Sequence, residues 1–110
     1  MPARSRRTAA DDIFDLIGKS DNIRQASSAM HAMAHPLRLK ILCLVGNQEL
    51  AVSVIVEAVG TSQSNISQHL AVLRDNGLIE ARKDAARVLY RIRDVRIVRM
   101  IALTREIFCA

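Results

Sequence analysis

A mainly α-helical domain carrying one small β-hairpin is the fold that this 110-residue sequence predicts, and three observations predict it. Apolar residues recur at three- and four-residue intervals over most of the chain, which is helical spacing. Gly60 and the pair Asn76-Gly77 fall where helical stretches should stop, since glycine enters the left-handed region at little cost. One stretch, Leu78–Lys83 with Arg87–Ile92, instead resembles two strands around a short turn at Asp84-Ala85-Ala86, with Val88 and Tyr90 as good strand formers. The length suits a single domain with one core. Half of the residues are apolar but only 3% are aromatic, so that core is built from Leu, Ile, Val, Ala and Met.

Residues 1–10 carry Arg4, Arg6 and Arg7 without apolar periodicity and are expected to form a flexible basic arm, with residues 11–110 as the domain. From Ile13 to Met33 the positions Ile13, Phe14, Leu16, Ile17, Ile23, Ala26, Met30 and Met33 keep helical spacing, with a break expected between Gly18 and Asp21. Pro36 suits a first helical turn, where its missing N–H is not needed, and Leu37, Ile41, Leu44 and Val45 continue one face. A short helix is expected over Ser53 to Val59. Ser62 then caps a helix whose Ile66, Leu70 and Leu73 face inward. The last helix, from about Asp94 to Phe108, is apolar around much of its circumference, with Val95, Ile97, Val98, Met100, Ile101, Leu103, Ile107 and Phe108. Such a helix needs two partners, and a second copy packed through the first and last helices supplies the simplest one.

The formal net charge is +5, which favours a polyanionic partner because neutralised phosphates release condensed counterions. Part of this charge is concentrated in Arg82, Lys83, Arg87, Arg91 and Arg93. No segment reaches the roughly 18 apolar residues of a membrane span, and no apolar stretch follows the N-terminal arginines, so a cytoplasmic protein with no membrane partner is expected. In that compartment Cys43 and Cys109 would stay reduced, leaving an inert pair of small hydrophobes or a reactive pair of thiols. Neither a Cys-x-x-Cys pair nor a glycine-rich phosphate loop is present, and acids and bases do not cluster, so an enzyme is not expected.

The order of short helix, glycine turn, capped helix, glycine stop and basic hairpin is that of a winged helix-turn-helix. A DNA major groove admits one α-helix, and a helix entering by its N-terminal end needs short polar side chains there to meet base edges. Gln63, Ser64, Asn65, Ser67 and Gln68 have this character, and the stretch from Gln63 to Val72 carries no formal charge. An ordinary solvated amphipathic helix would usually be charged on its outer face. Lys83 and Arg87, at the hairpin tip, could reach phosphates or a minor groove. His69 suits a phosphate or structural bond better than base reading, and His31 and His35 suit hydrogen bonding at a helix junction better than metal ligation.

The stretches AMAHPLRLKILCLV, SQSNISQHLAVLRDNGLIEAR and VLYRI resemble the arsenic-repressor (ArsR/SmtB) family of winged-helix repressors, over roughly residues 22–108. That resemblance implies a five-helix, two-strand homodimer that releases operator DNA when it senses an inducer. Metal-sensing members carry Cys-Val-Cys where this chain has Ala51-Val52-Ser53, and the final helix lacks histidine, so no metal or other cofactor is expected. Cys43 and Cys109 are similar to the paired cysteines of the persulfide- and redox-sensing, BigR/SqrR/HlyU-like branch, which implies release of DNA when an oxidant or reactive sulfur species links them. A metal-responsive repressor of the same fold and a dimeric interaction module without DNA binding are the alternatives.

Overall fold

The computed structural model describes residues 8–11, 17–18 and 20–109. Most of the expected basic arm, and Ile13, Phe14 and Leu16 of the first apolar stretch, lie outside the described residues. Residues 9–11 are helical, and the expected break appears as a turn at Gly18 before helix α1, Ser20–Met33. Helix α2 spans Pro36–Val45, β1 Leu50–Ala51, α3 Val52–Val59, α4 Gln63–Asp75, β2 Ile79–Asp84, β3 Arg87–Ile92 and α5 Val95–Phe108.

Each boundary follows from local chemistry. His35 caps α2 by accepting the Leu37 N–H at Nδ1, 3.1 Å away, and Pro36 occupies the first turn, where an N–H would have no partner. Gly60 ends α3 in the left-handed region, φ 80° and ψ 30°, with its N–H on the Val56 carbonyl. Ser62 opens α4 by accepting the Asn65 N–H, and Asp94 opens α5 by accepting the Arg96 N–H.

The sheet has three strands rather than the two expected. Leu50 and Ala51 pair antiparallel with Tyr90 and Leu89, giving the order β1-β3-β2. A two-residue strand is too short to produce an alternating pattern, so only its partner strand reveals it. The hairpin turn is also tighter than the three residues expected. Asp84 belongs to β2 and is opposite Arg87, which leaves Ala85-Ala86 as the turn, with Ala85 at φ 56°. Two-residue hairpin loops need positive φ to match the twist of their strands.

The core lies between the helices and the inner face of the sheet. Ile41, Leu42 and Val45 from α2 meet Ile55 from α3, Ile66, Leu70 and Leu73 from α4, and Ile79 and Ile92 from the sheet. Burying a side chain of this size contributes about 1.5–3 kcal/mol, so the three residues on α4 fix that helix firmly on its support. From α5 only Ile101 is buried, while Val95, Leu103, Ile107 and Phe108 are 54–80% exposed. A groove with Met30, Met33, Ile97 and Met100 on its walls, and Asn22, Gln25 and Arg96 among its polar residues, runs between α1 and α5.

Candidate nucleic-acid interface

Helices α3 and α4 form a helix-turn-helix because the turn between them is tied at both ends. Gly60 reverses the chain, and Ser62 Oγ accepts the Asn65 N–H at 3.1 Å. Asn65 Nδ2 donates to Thr61 Oγ1, also at 3.1 Å. With Ile66, Leu70 and Leu73 turned inward, Gln63, Ser64, Ser67 and Gln68 are left exposed on the opposite side of α4. Their donors and acceptors face outward on a stiff element, and the first turn carries no acidic residue to repel a phosphate. Asn65 is half-buried and shares its amide with the turn.

The hairpin of β2 and β3 projects beside this helix and sorts its charges. Arg82 donates from Nε and Nη2 to both oxygens of Glu49, at 2.7 and 2.8 Å. That fork holds the Glu49 carboxyl below the ordinary carboxylate range, and Glu49 in turn raises Arg82. Arg91 pairs with Glu80 directly across the strands, and Arg87 reaches Asp84 at 3.2 Å. Lys83 is exposed and makes no ion pair among the described residues. Of the five clustered cations, Lys83 and the exposed Arg87 are at the hairpin tip, as expected.

His69 is on the shoulder of α4 rather than on its outer face. Its ring centroid lies 4.6 Å from that of His35, and Nδ1 lies 3.4 Å from Arg38 Nη1. Burial, followed by the charges of His35 and Arg38, pushes its imidazolium below the usual value. Arg38 was not singled out by the sequence, although the closeness of HPLR to a helix start was a usable signal. His35 makes the junction hydrogen bond expected of it.

Cys43 and Cys109 are both exposed within one protomer, which speaks against the alternative of two buried hydrophobes. They line separate surface pockets of about 380 Å³ each, Cys43 beside Lys40 and Val59, Cys109 beside Arg105 and Glu106. Among the described residues no three His, Cys, Asp or Glu side chains are grouped to hold a metal ion, and no helix is long and apolar enough to cross a membrane.

Comparison with known proteins agrees with this geometry. Residues 35–81 match the family described as bacterial regulatory protein, arsR family. The HTH-type transcriptional regulator YgaV of Escherichia coli is 40% identical over 86 residues, 77% of this chain and 87% of that protein. The structure of HlyU from Vibrio cholerae superposes with a TM-score of 0.77 at 37% identity, covering 84% of this chain and all of that one. A homodimeric winged helix-turn-helix DNA-binding domain from Mycobacterium bovis, Mb0332, superposes with a TM-score of 0.71 at 33% identity, covering 97% of this chain and 89% of that one. The relatives are named as transcriptional regulators, a non-enzymatic role. The helix-turn-helix, the small antiparallel sheet and this likeness together show that the chain belongs to the arsR family of bacterial transcriptional regulators, with a winged helix-turn-helix fold.

Proposed function

We propose that the protein is a homodimeric, sequence-specific repressor that occupies operator DNA in the cytoplasm through α4 and the hairpin, and leaves it when Cys43 and Cys109 become linked. The observation that carries the DNA reading is the uncharged, exposed face of α4, formed by Gln63, Ser64, Ser67 and Gln68, on a helix anchored by three buried aliphatic residues. Gln63 and Gln68 can make paired hydrogen bonds to adenine, and Ser64, Asn65 and Ser67 contact bases or phosphates with less discrimination. Lys83 and Arg87 hold phosphates beside the groove, supplying affinity more than sequence preference. A protein seated on a promoter in this way excludes the transcription machinery.

Dimerisation accounts for the apolar residues left uncovered on α1 and α5. Ile23, Met30, Met100, Leu103, Ile107 and Phe108 would otherwise present a wet apolar surface, and the Mycobacterium bovis neighbour is itself homodimeric. Two copies related by a two-fold axis present two α4 helices, which need a separation of about 34 Å to enter successive major grooves.

For the switch, the exposure of both thiols leaves them open to an oxidant or a reactive sulfur species. Joining two thiols removes two electrons and two protons. A peroxide takes these up as water, and a polysulfide takes them up as hydrosulfide, leaving its own sulfur in the bridge. The link draws the end of α5 toward α2, and because α5 also forms the dimer seam, the spacing of the two α4 helices changes. A hundredfold change in occupancy needs a bias of only about 2.7 kcal/mol between the two dimer states.

The test uses a duplex selected by the wild-type protein from a random-sequence library. Gln63→Ala should weaken binding to it by about 1–3 kcal/mol, whereas Lys83→Ala should mainly flatten the salt dependence. Equal affinity in both variants and the wild type rejects the interface. A polysulfide should release the wild type but not the Cys43→Ser, Cys109→Ser protein, and release of both rejects the switch.

A further inference from the structure

One polar cluster joins three helices behind the exposed face of α4. Arg38, in the first turn of α2, donates from Nε to the Ala32 carbonyl near the end of α1, at 2.7 Å, while its Nη1 points at His69 Nδ1 on α4. A guanidinium can only donate, so His69 Nδ1 must offer a lone pair, and the ring is the neutral tautomer with hydrogen on Nε2. His35 Nδ1 likewise accepts, from the Leu37 N–H. The two rings lie 4.6 Å apart, tilted at 45° to each other, beside a fixed cation. The charged and titratable groups that act on His69 are His35 and Arg38, both from the start of α2, and among the described residues no carboxylate offsets them.

Resting on the DNA-binding function proposed above, we propose that Arg38 is a positioning residue for sequence reading, fixing the roll of α4 by holding His69 against the α1–α2 junction. Ile66, Leu70 and Leu73 keep α4 on the core, but apolar burial has no direction and tolerates a small rotation about the helix axis. A hydrogen bond has direction. A small roll displaces Gln63, Ser64, Ser67 and Gln68 relative to base edges while leaving the overall attraction to phosphate intact. A proton on His69 removes the acceptor and places a second cation against Arg38, so sequence preference narrows as pH falls. A His69 that contacted phosphate directly would behave oppositely, with all DNA binding strengthening in acid.

The test compares affinity for a duplex selected by the wild type from a random library with affinity for a scrambled duplex, between pH 8 and pH 5, a range that extends well below the ordinary imidazole value because His69 is held below it. Arg38→Met and His69→Phe should each cost about tenfold on the selected duplex and less than about twofold on the scrambled one, and the double variant should cost no more than either alone. His69→Gln, which keeps an acceptor, should recover most of the loss. The wild-type preference should hold from pH 8 to pH 6.5 and narrow below that, toward pH 5, and that of His69→Phe should not change. Circular dichroism and sedimentation confirm that each variant is folded and associates as the wild type does, and should Arg38→Met fail to fold, the two His69 variants and the pH profile carry the test. Additive losses with a shallower salt dependence, a wild-type preference constant with pH, or unchanged affinities overturn the proposal. Failure of the wild type to select any duplex overturns the DNA-binding function itself, and the proposal with it.

Discussion

Glu49, ahead of β1, grips Arg82 of β2 with both carboxylate oxygens, at 2.7 and 2.8 Å, and so joins the body of the domain to its hairpin. The pair spans β3, which lies between β1 and β2 in the sheet. It also withdraws one arginine from the charge available to DNA. Glu49→Gln should release that guanidinium, strengthening binding to non-specific duplex at low salt and steepening the slope of log affinity against log salt by up to about 1. Titration of a scrambled duplex across a salt series checks this, and an unchanged slope would show that Arg82 does not reach phosphate.

Ser62 caps the start of α4, its Oγ accepting the Asn65 N–H at 3.1 Å. Ser62→Ala leaves the Asn65 N–H without its cap and should cost about 1 kcal/mol, read as a lowered midpoint in thermal or urea unfolding. Ser62→Gly should cost only a few tenths of a kcal/mol.

Acid should loosen the start of α5. The Arg96 side chain, and then its backbone N–H, pull the Asp94 carboxyl from 3.8 down to about 2. A depressed folded-state value means that the carboxylate contributes stability above pH 3.8, and this is lost as pH falls from there through about 2. The gap in unfolding midpoint between the wild type and Asp94→Asn should therefore be widest near neutrality and close over that window. A constant gap would show that the cap does not act through its charge.

Leu103, 54% exposed on α5, tests the seam. Leu103→Glu should give a folded monomer by sedimentation, with the preference for a selected duplex lost, because one α4 helix alone cannot span two grooves. A dimer of undiminished stability would place the contact elsewhere.

How much of this was legible in the sequence varies with the length of the signal. Helices α3 to α5 lie within a residue of their expected bounds and α2 begins at Pro36 as expected, because each combines an apolar period with a start or stop signal, as Ser62 and Gly60 do for α4 and α3. The strand Leu50–Ala51 was not legible, being two residues long and defined only by its pairing with Leu89 and Tyr90. The polar face of α4 followed from period alone, since Ile66, Leu70 and Leu73 leave Gln63, Ser64, Ser67 and Gln68 opposite. The Arg38 to His69 contact did not, because it joins residues 31 positions apart through a side chain with no local pattern. For the same reason the sequence pooled Arg82 with Lys83, whereas Glu49, 33 positions away, separates them.

Counting the chains that bind one selected duplex, by sedimentation equilibrium alongside a protection footprint, tests the account most directly. It predicts two chains per duplex, with two protected half-sites centred about 34 Å apart along one DNA face. A single chain at a single site, or protection with no preferred sequence, would contradict it.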